Sequence, residues 1–166
     1  MSAMFVSAIA TPVGPLQLTV NDEGVLVEIR LPNRRHQPDW RGGSRAAKDG
    51  FRSVAAQLSE YFEGTRREFD VPLEPHGSPF ELAVWQRLLQ IPYGTTLSYG
   101  AIATEFAMEN GARAVGRANA RNPIPIVIPC HRVIGADGAL VGFGGGLPLK
   151  ARLLELEGAL DPTLSF

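Results

Sequence analysis

The hydrophobic period of this chain changes at "EPHGSP", residues 74–79, and that change limits what the chain can fold into. Before it, apolar residues recur at every second position. In "GPLQLTVNDEGVLVEIRL", Leu16, Leu18 and Val20, then Val25, Val27 and Ile29, alternate with polar residues on either side of the turn "NDEG". That is the pattern of a β-hairpin. "MSAMFVSAIATP" has an apolar stretch without a basic leader and reads as a first strand rather than a signal peptide. "PNRRHQPDWRGGSRAAKDG" is polar, rich in proline and glycine and without period, so a mobile loop is expected there. "FRSVAAQLSEYFEG" puts Phe51, Val54, Ala55, Leu58, Tyr61 and Phe62 on one helical stripe and ends at Gly64. "REFDVPLEP" predicts a further strand.

Past the linker the period is helical. Ser78 and Glu81 form a capping box with Pro79 at the first helical position, and Phe80, Val84, Trp85, Leu88 and Leu89 make the buried face. "IPYGTT" ends that helix, and Ser98 caps a second, "LSYGAIATEF". The turn "AMENG" leads into a third, "ARAVGRANAR", and two short helices so joined predict a helix-turn-helix. "HRVIGADGALVGF" reads as a hairpin, and "GGGLPLKARLLELEG" as a glycine loop opening a final helix. The expected architecture is α/β: a small N-terminal α/β domain with an antiparallel sheet over residues 1–75, then a mostly helical winged helix-turn-helix domain over residues 76–166.

Composition narrows the function. With 45% hydrophobic residues in 166, a core forms without disulfide or metal staples. One cysteine makes no internal disulfide, which fits a reducing cytoplasm, and with three histidines it leaves no structural zinc set. No apolar run reaches membrane-spanning length. The net charge of −1 does not favour nucleic acid, but its distribution does: no acidic residue lies between Asn110 and Ala136, while Arg113, Arg117, Arg121 and Arg132 do. Such a basic face is either a DNA footprint or a solvated helix face.

The lone cysteine stands in "IPIVIPCHRVIG". A single thiol is more often an inert small hydrophobe than a nucleophile. Here Pro129 fixes the backbone before Cys130, His131 follows it, and the surroundings are basic, all of which favour a reactive thiol. Neighbouring side chains in extended backbone point apart, so His131 is expected to act through water. A third group must then fix its tautomer, and Glu155 or Glu157 on the last helix is the available carboxylate.

"IPCHRVIG" resembles the active-site signature of the O6-alkylguanine-DNA alkyltransferases, the methylated-DNA–protein-cysteine methyltransferase family. "VWQRLLQIPYGTTLSYGAIA", "ARAVGRANARNPIPIVIPCHRVIG", "GALVGFGGG" and "KARLLELEG" follow that family in order and spacing, and "TPVGPLQL" is similar to its entry strand. The resemblance implies a ribonuclease H-like N-terminal domain and irreversible, stoichiometric transfer of an alkyl group from guanine to Cys130, without cofactor or metal. It implies His131 as base through water, Glu157 as its holder, Tyr99 as proton donor to the departing guanine, and Asn122 as hinge. Arg113 would enter the duplex where the nucleotide has flipped out. Ala112, Ala114, Gly116, Arg117 and Arg121 would complete the DNA-facing helix. Pro125, Val133, Phe143, Gly144 and Gly145 would line the pocket. Phe143 departs from the tyrosine usual there, which puts one pocket hydrogen bond in question. The implied partner is double-stranded DNA carrying O6-alkylguanine. A monomer is expected, with cooperative assembly on DNA left open.

The residue types suit that chemistry independently. Displacement at an alkyl carbon needs a soft, strong nucleophile, and the thiolate is the best available to a protein. A guanine anion leaving the reaction calls for a nearby acid such as a phenol. A stacked base is out of reach until it is flipped, and Ala112, Gly116 and Ala120 keep one helix face small enough for close approach. Two rivals remain on sequence grounds. A cysteine hydrolase using Cys130 and His131 leaves Tyr99 and the arginine helix without a role. A binding-only alkyltransferase-like module has lost the cysteine that this chain keeps.

Overall fold

The computed structural model describes residues 4–138 and 140–159. Its contacts divide into two units, Met1–His76 and Gly77–Phe166.

In the first unit, β1 (Phe5–Ile9), β2 (Leu16–Val20), β3 (Leu26–Arg30) and the short β4 (Trp40–Arg41) form an antiparallel sheet in the order β3-β2-β1-β4. Helix α1 (Arg45–Phe62) packs on β1 and β2. The hairpin turn is held by Asn21, whose Oδ1 accepts from the backbone N–H groups of Glu23 and Val25 at 2.9 and 3.0 Å, with Gly24 at φ +83°. The alternation expected for the second strand is displaced. A bulge between Thr19 and Val20 sets Val20 opposite Leu26 and Leu18 opposite Ile29. Leu26 and Ile29 therefore share the core face and are buried, while Val25 and Val27 are half-exposed. β2 is buried on both faces, and Gln17 meets its cover: its amide donates to the Gln37 carbonyl at 2.6 Å and accepts from the Gln37 N–H at 2.8 Å.

Two expectations fail in this unit. The stretch 32–50 is not one loop: it supplies β4 and the first turns of α1, which starts at Arg45 with Ser44 as its cap. The "KDG" that reads as a turn lies inside the helix, and Gly50 is there because α1 crosses the hairpin turn so closely that a methyl group would collide with the backbone of Gly24. The strand expected in "REFDVPLEP" shrinks to one parallel bridge, Leu26 to Leu73. Pro72 and Pro75 have no N–H to give a ladder, and Glu74 alone donates back, to the Leu26 carbonyl at 2.9 Å.

In the second unit, α2 (Pro79–Leu88) has its capping box in place, with Ser78 and Glu81 bonded reciprocally. β5 (Leu97–Ser98) leads directly into α3 (Tyr99–Glu105), then α4 (Ala112–Ala120), a 3-10 turn (Cys130–Arg132), β6 (Val133–Ile134) and α5 (Leu147–Leu156). Helices α3 and α4 form the helix-turn-helix, both reached from α2. Arg87 of α2 makes a two-point pair with Glu105 of α3, at 2.6 and 3.1 Å, and the indole N–H of buried Trp85 donates to the Ala118 carbonyl of α4 at 2.8 Å. The expected hairpin in "HRVIGADGALVGF" does not form among the described residues, from which Ala139 is excluded. β6 pairs instead in parallel with β5. Its return segment makes no strand, because the carbonyls of Val141 and Gly142 are occupied by the Tyr99 hydroxyl and the Lys150 ammonium. No helix among the described residues is long and apolar enough to cross a membrane.

Candidate active site

Cys130 opens the 3-10 turn that follows "NPIPIVIP". That run folds back on itself. Asn122 donates from its amide to the Ile128 carbonyl at 2.8 Å and accepts from the Ile124 N–H at 3.0 Å. Ile126 takes φ +76°, a conformation that a β-branched residue rarely adopts. The Cys130 N–H then closes on the Ile128 carbonyl at 2.8 Å. Pro125, Ile128 and Pro129 are buried around it, and Cys130 itself is 4% exposed.

Beside the thiol lies a buried ionic cluster. His131 Nε2 is 2.7 Å from Glu157 Oε2. Arg132 donates to both oxygens of the same carboxylate, at 2.8 and 3.0 Å, and to the Ile91 carbonyl at 2.7 Å. Burial alone would raise the Glu157 carboxyl, but His131 and Arg132 together bring it down to about 2. Burial lowers the His131 imidazole, with the carboxylate opposing. An ionised carboxylate at Nε2 takes the ring proton there, which leaves the other nitrogen bare. That nitrogen, Nδ1, is buried and has no hydrogen-bond partner. The Cys130 thiol is pushed up to about 11 by burial, against Asn122 and Lys150. Burial thus favours the neutral form of both the thiol and the imidazole.

Tyr99, the first residue of α3, donates to the carbonyls of Val141 and Gly142 at 3.0 and 3.3 Å. Its phenol is pushed up to about 12, by burial first and by Cys130 second. A Cβ on Gly116 of α4 would lie 3.9 Å from the Tyr99 ring, in ordinary van der Waals contact, so α4 passes beside that ring. Lys150 is wholly buried in α5 and donates to the carbonyls of Val133, Val141 and Gly142 at 2.5, 3.0 and 3.3 Å. Burial brings it down to about 8.

The structure brings together Cys130, His131, Glu157, Tyr99, Asn122 and Val133, and settles the choice of carboxylate at the imidazole: Glu157 is buried on it, while Glu155 is half-exposed. Phe143 and Gly145 are half-buried and Gly144 exposed in the turn before α5. On α4, Ala112, Arg113, Arg117 and Ala120 are exposed on the side away from buried Val115, Ala118 and Asn119. Arg121 turns instead toward α2, 3.6 Å from Glu81. Half-buried Ala114 lines the same hollow of about 150 Å³ with Ser78 and Phe80. Arg132 does not belong to the basic face at all, since it is 6% exposed and bound to Glu157.

Sequence reasoning missed the roles of Arg132, Lys150 and Asn119. The last two had a signal: Lys150 is in helical register with Leu153 and Leu154, and Asn119 with Val115, so each is a polar residue on an apolar stripe.

Residues 79–159 match the family description "6-O-methylguanine DNA methyltransferase, DNA binding domain". Residues 4–75 match "6-O-methylguanine DNA methyltransferase, ribonuclease-like domain". A methylated-DNA–protein-cysteine methyltransferase of Mycobacterium leprae is 47% identical, over 89% of this chain and 88% of that protein. One from Methanosarcina acetivorans is 41% identical, over 94% and 99%. The O6-methylguanine methyltransferase of Mycobacterium tuberculosis superposes with a TM-score of 0.81 at 44% identity, over 96% of both chains. The crystal structure of Mycobacterium tuberculosis OGT in complex with DNA gives the same score at 45% identity, over 94% of both. By sequence in both units and by fold along nearly its whole length, this chain belongs to the methylated-DNA–protein-cysteine methyltransferase family.

Proposed function

We propose that this protein repairs double-stranded DNA by flipping O6-alkylguanine out of the helix and moving its alkyl group, once and irreversibly, to Cys130. The observation that carries this reading is the buried Glu157–His131 pair, whose imidazole Nδ1 is unpartnered on the residue that follows the cysteine. A water between Nδ1 and the thiol relays the proton to the ring as sulfur attacks the alkyl carbon. The carbon–oxygen bond breaks as the sulfur–carbon bond forms, and the guanine anion takes a proton from Tyr99. The imidazolium, held by Glu157, gives its proton to solvent, and the tyrosinate regains one. In sum the thiol proton ends on guanine.

Burial supports the single turnover. A thioether is a poor leaving group, too poor for a neutral imidazole and water to displace. In this reading residues 76–166 bind DNA and carry the chemistry. Arg113 fills the gap in the base stack, while Ala112, Gly116 and Arg117 lie along the groove. Ala114 and Arg121, turned toward α2, contribute at the margin. Pro125, Val133, Phe143, Gly144 and Gly145 border the extruded base, and Asn122 sets the hinge between α4 and Cys130. The protein acts as a monomer, and a reducing cytoplasm keeps its thiol available.

Intact-mass measurement after mixing with duplex DNA containing one O6-methylguanine tests this. One methyl group is expected per protein, on the peptide that contains Cys130. Repair of several equivalents of lesion by one equivalent of protein would overturn it.

A further inference from the structure

His131 and Arg132 follow one another in the 3-10 turn, and both reach the same buried carboxylate. Glu157 Oε2 meets His131 Nε2 at 2.7 Å and accepts from a terminal nitrogen of Arg132 at 3.0 Å, while Oε1 accepts from Arg132 Nε at 2.8 Å. The other terminal nitrogen of Arg132 donates to the Ile91 carbonyl at 2.7 Å, and the guanidinium carbon lies 5.7 Å from the centre of the Tyr93 ring. The side chains of His131 and Glu157 are wholly buried, and that of Arg132 is 8% exposed.

Orienting an imidazole needs a carboxylate but no arginine. A buried carboxylate facing an imidazole alone, in a site closed to water, strongly favours the charged ring. An imidazolium has no lone pair with which to accept the thiol proton. A guanidinium keeps its charge at any ordinary pH and matches a carboxylate at two points. With the imidazole neutral, Arg132 and Glu157 cancel. A second ring proton would leave a net positive charge among buried groups until Cys130 supplied a negative one. Burial lowers the imidazole first, Glu157 opposes, and Arg132 and Lys150 lower it again. The other titratable groups near the turn are Cys130 and the phenols Tyr93 and Tyr99. Helix α2 also packs on the turn, but its Glu81 and Arg87 are paired with Arg121 and Glu105.

We propose that Arg132 is a positioning residue for deprotonation of the thiol: by gripping both oxygens of Glu157 it leaves that carboxylate to orient His131 through Nε2 without holding the ring as a resting cation, so that Nδ1 stays open for the thiol proton. This deepens the proposed function and rests on His131 being the base. The bond changes are those already described: the thiol proton passes through water to Nδ1 as sulfur attacks the alkyl carbon and the carbon–oxygen bond breaks. Arg132 itself exchanges no proton. The ring gains its charge only as the sulfur gains the opposite one.

The experiment compares Arg132→Gln and Arg132→Lys with wild type, in the full chain isotopically labelled at histidine nitrogen. The ring nitrogen shifts of His131, assigned by difference from His131→Gln, report its tautomer and its titration midpoint. The wild-type ring is expected to be neutral at neutral pH, with its proton on Nε2. In Arg132→Gln the midpoint should rise by about 1–3 pH units, the usual effect of a charge a few ångströms away. Arg132→Lys keeps the charge and should keep the midpoint near that of wild type. The second readout is the saturating single-turnover rate of transfer from free O6-benzylguanine, followed against pH. In Arg132→Gln it should fall about tenfold for each pH unit below the new midpoint and recover above it. A loss of packing alone would slow transfer at every pH, and such a profile would overturn the proposal. A midpoint that Arg132→Gln leaves in place would also overturn it, with His131 still the base. An imidazolium in wild type at neutral pH, or a raised midpoint with an unchanged rate profile, would remove His131 as base and this proposal with it. Where the glutamine variant folds poorly, the lysine variant decides: a midpoint raised despite its charge would overturn the proposal.

Discussion

Both units bury polar side chains, but they bury different kinds. In the N-terminal unit the buried polar groups include two glutamines, and each clasps the backbone N–H and C=O of one residue. Gln17 does so with Gln37, and Gln57 with Asp70, at 3.1 and 2.9 Å. They are neutral, matched and static, and they tie a following segment to a strand or a helix. In the C-terminal unit the buried set holds one amide, Asn119, but is otherwise ionisable: His131, Arg132, Lys150 and Glu157, beside Cys130. Of these, Cys130, His131, Lys150 and Glu157 sit away from their ordinary pKa values, and the set includes an imidazole nitrogen with no partner. A matched buried amide is a fastening. A buried ionic cluster with an unpartnered nitrogen keeps one hydrogen-bonding position open.

The largest effect should come from the thiol. Cys130→Ala should repair no methylated duplex while binding it nearly as well, read by product analysis and a binding titration side by side. Residual transfer would mean that the nucleophile lies elsewhere.

Next is Glu157→Gln. A neutral amide leaves Arg132 buried without its counter-charge, a change that typically costs about 3–5 kcal/mol, and it unfixes the His131 tautomer. Slower transfer with little change in DNA binding is expected, together with a lower unfolding midpoint. The pH dependence has a definite sign. The carboxyl is held at about 2 in the fold, below its ordinary 4.5. Its contribution to stability is therefore present above about 4.5 and lost as pH falls toward 2. Denaturant titrations across that window should show a steep acid loss in wild type and a flatter one in Glu157→Gln. Equal slopes would dissolve the contrast between the two buried sets.

Arg113→Ala separates the chemistry from engagement with the duplex. Flipping costs a few kcal/mol, and each ~1.4 kcal/mol is about tenfold. Repair of duplex should therefore slow by roughly one to two orders of magnitude. Reaction with free O6-benzylguanine, which needs no flipping, should hold. Equal losses on both substrates would make Arg113 a support of the fold.

The smallest expected effect on chemistry is that of Gln17→Leu. It strands the backbone N–H and C=O of Gln37 and should cost about 1–3 kcal/mol of stability, measured by chemical unfolding, with the transfer rate on free base unchanged. A drop in that rate would show that the first unit does more than fasten its own loops.

The contrast also explains what was legible from sequence. Cys130, His131 and Glu157 stand in a signature whose spacing shows in the one-dimensional string, and the helices of the second unit announce themselves by caps and period. Lys150 and Asn119 show only as polar residues on apolar stripes, with nothing to name what they bind: their partners are backbone carbonyls, and a carbonyl has no letter in the sequence. The start of α1 at Arg45 was hidden for a similar reason. Gly50 reads as a turn until Gly24, 26 positions earlier, is seen pressed against it. Leu26 and Ile29 came out in mixed phase because a bulge breaks the period of two. Local pattern gives elements. It does not give contacts whose partners are backbone or lie far away in the chain.

Glu157 follows the last turn of α5 and meets His131 across 26 residues. During synthesis, then, the nucleophile leaves the ribosome well before the carboxylate that orients its base. Until α5 docks, His131 and Arg132 lack the carboxylate that they share in the fold. The order of synthesis thus places the pairing of Glu157 with His131 after the cysteine has been made, so the complete cluster exists only once α5 has docked.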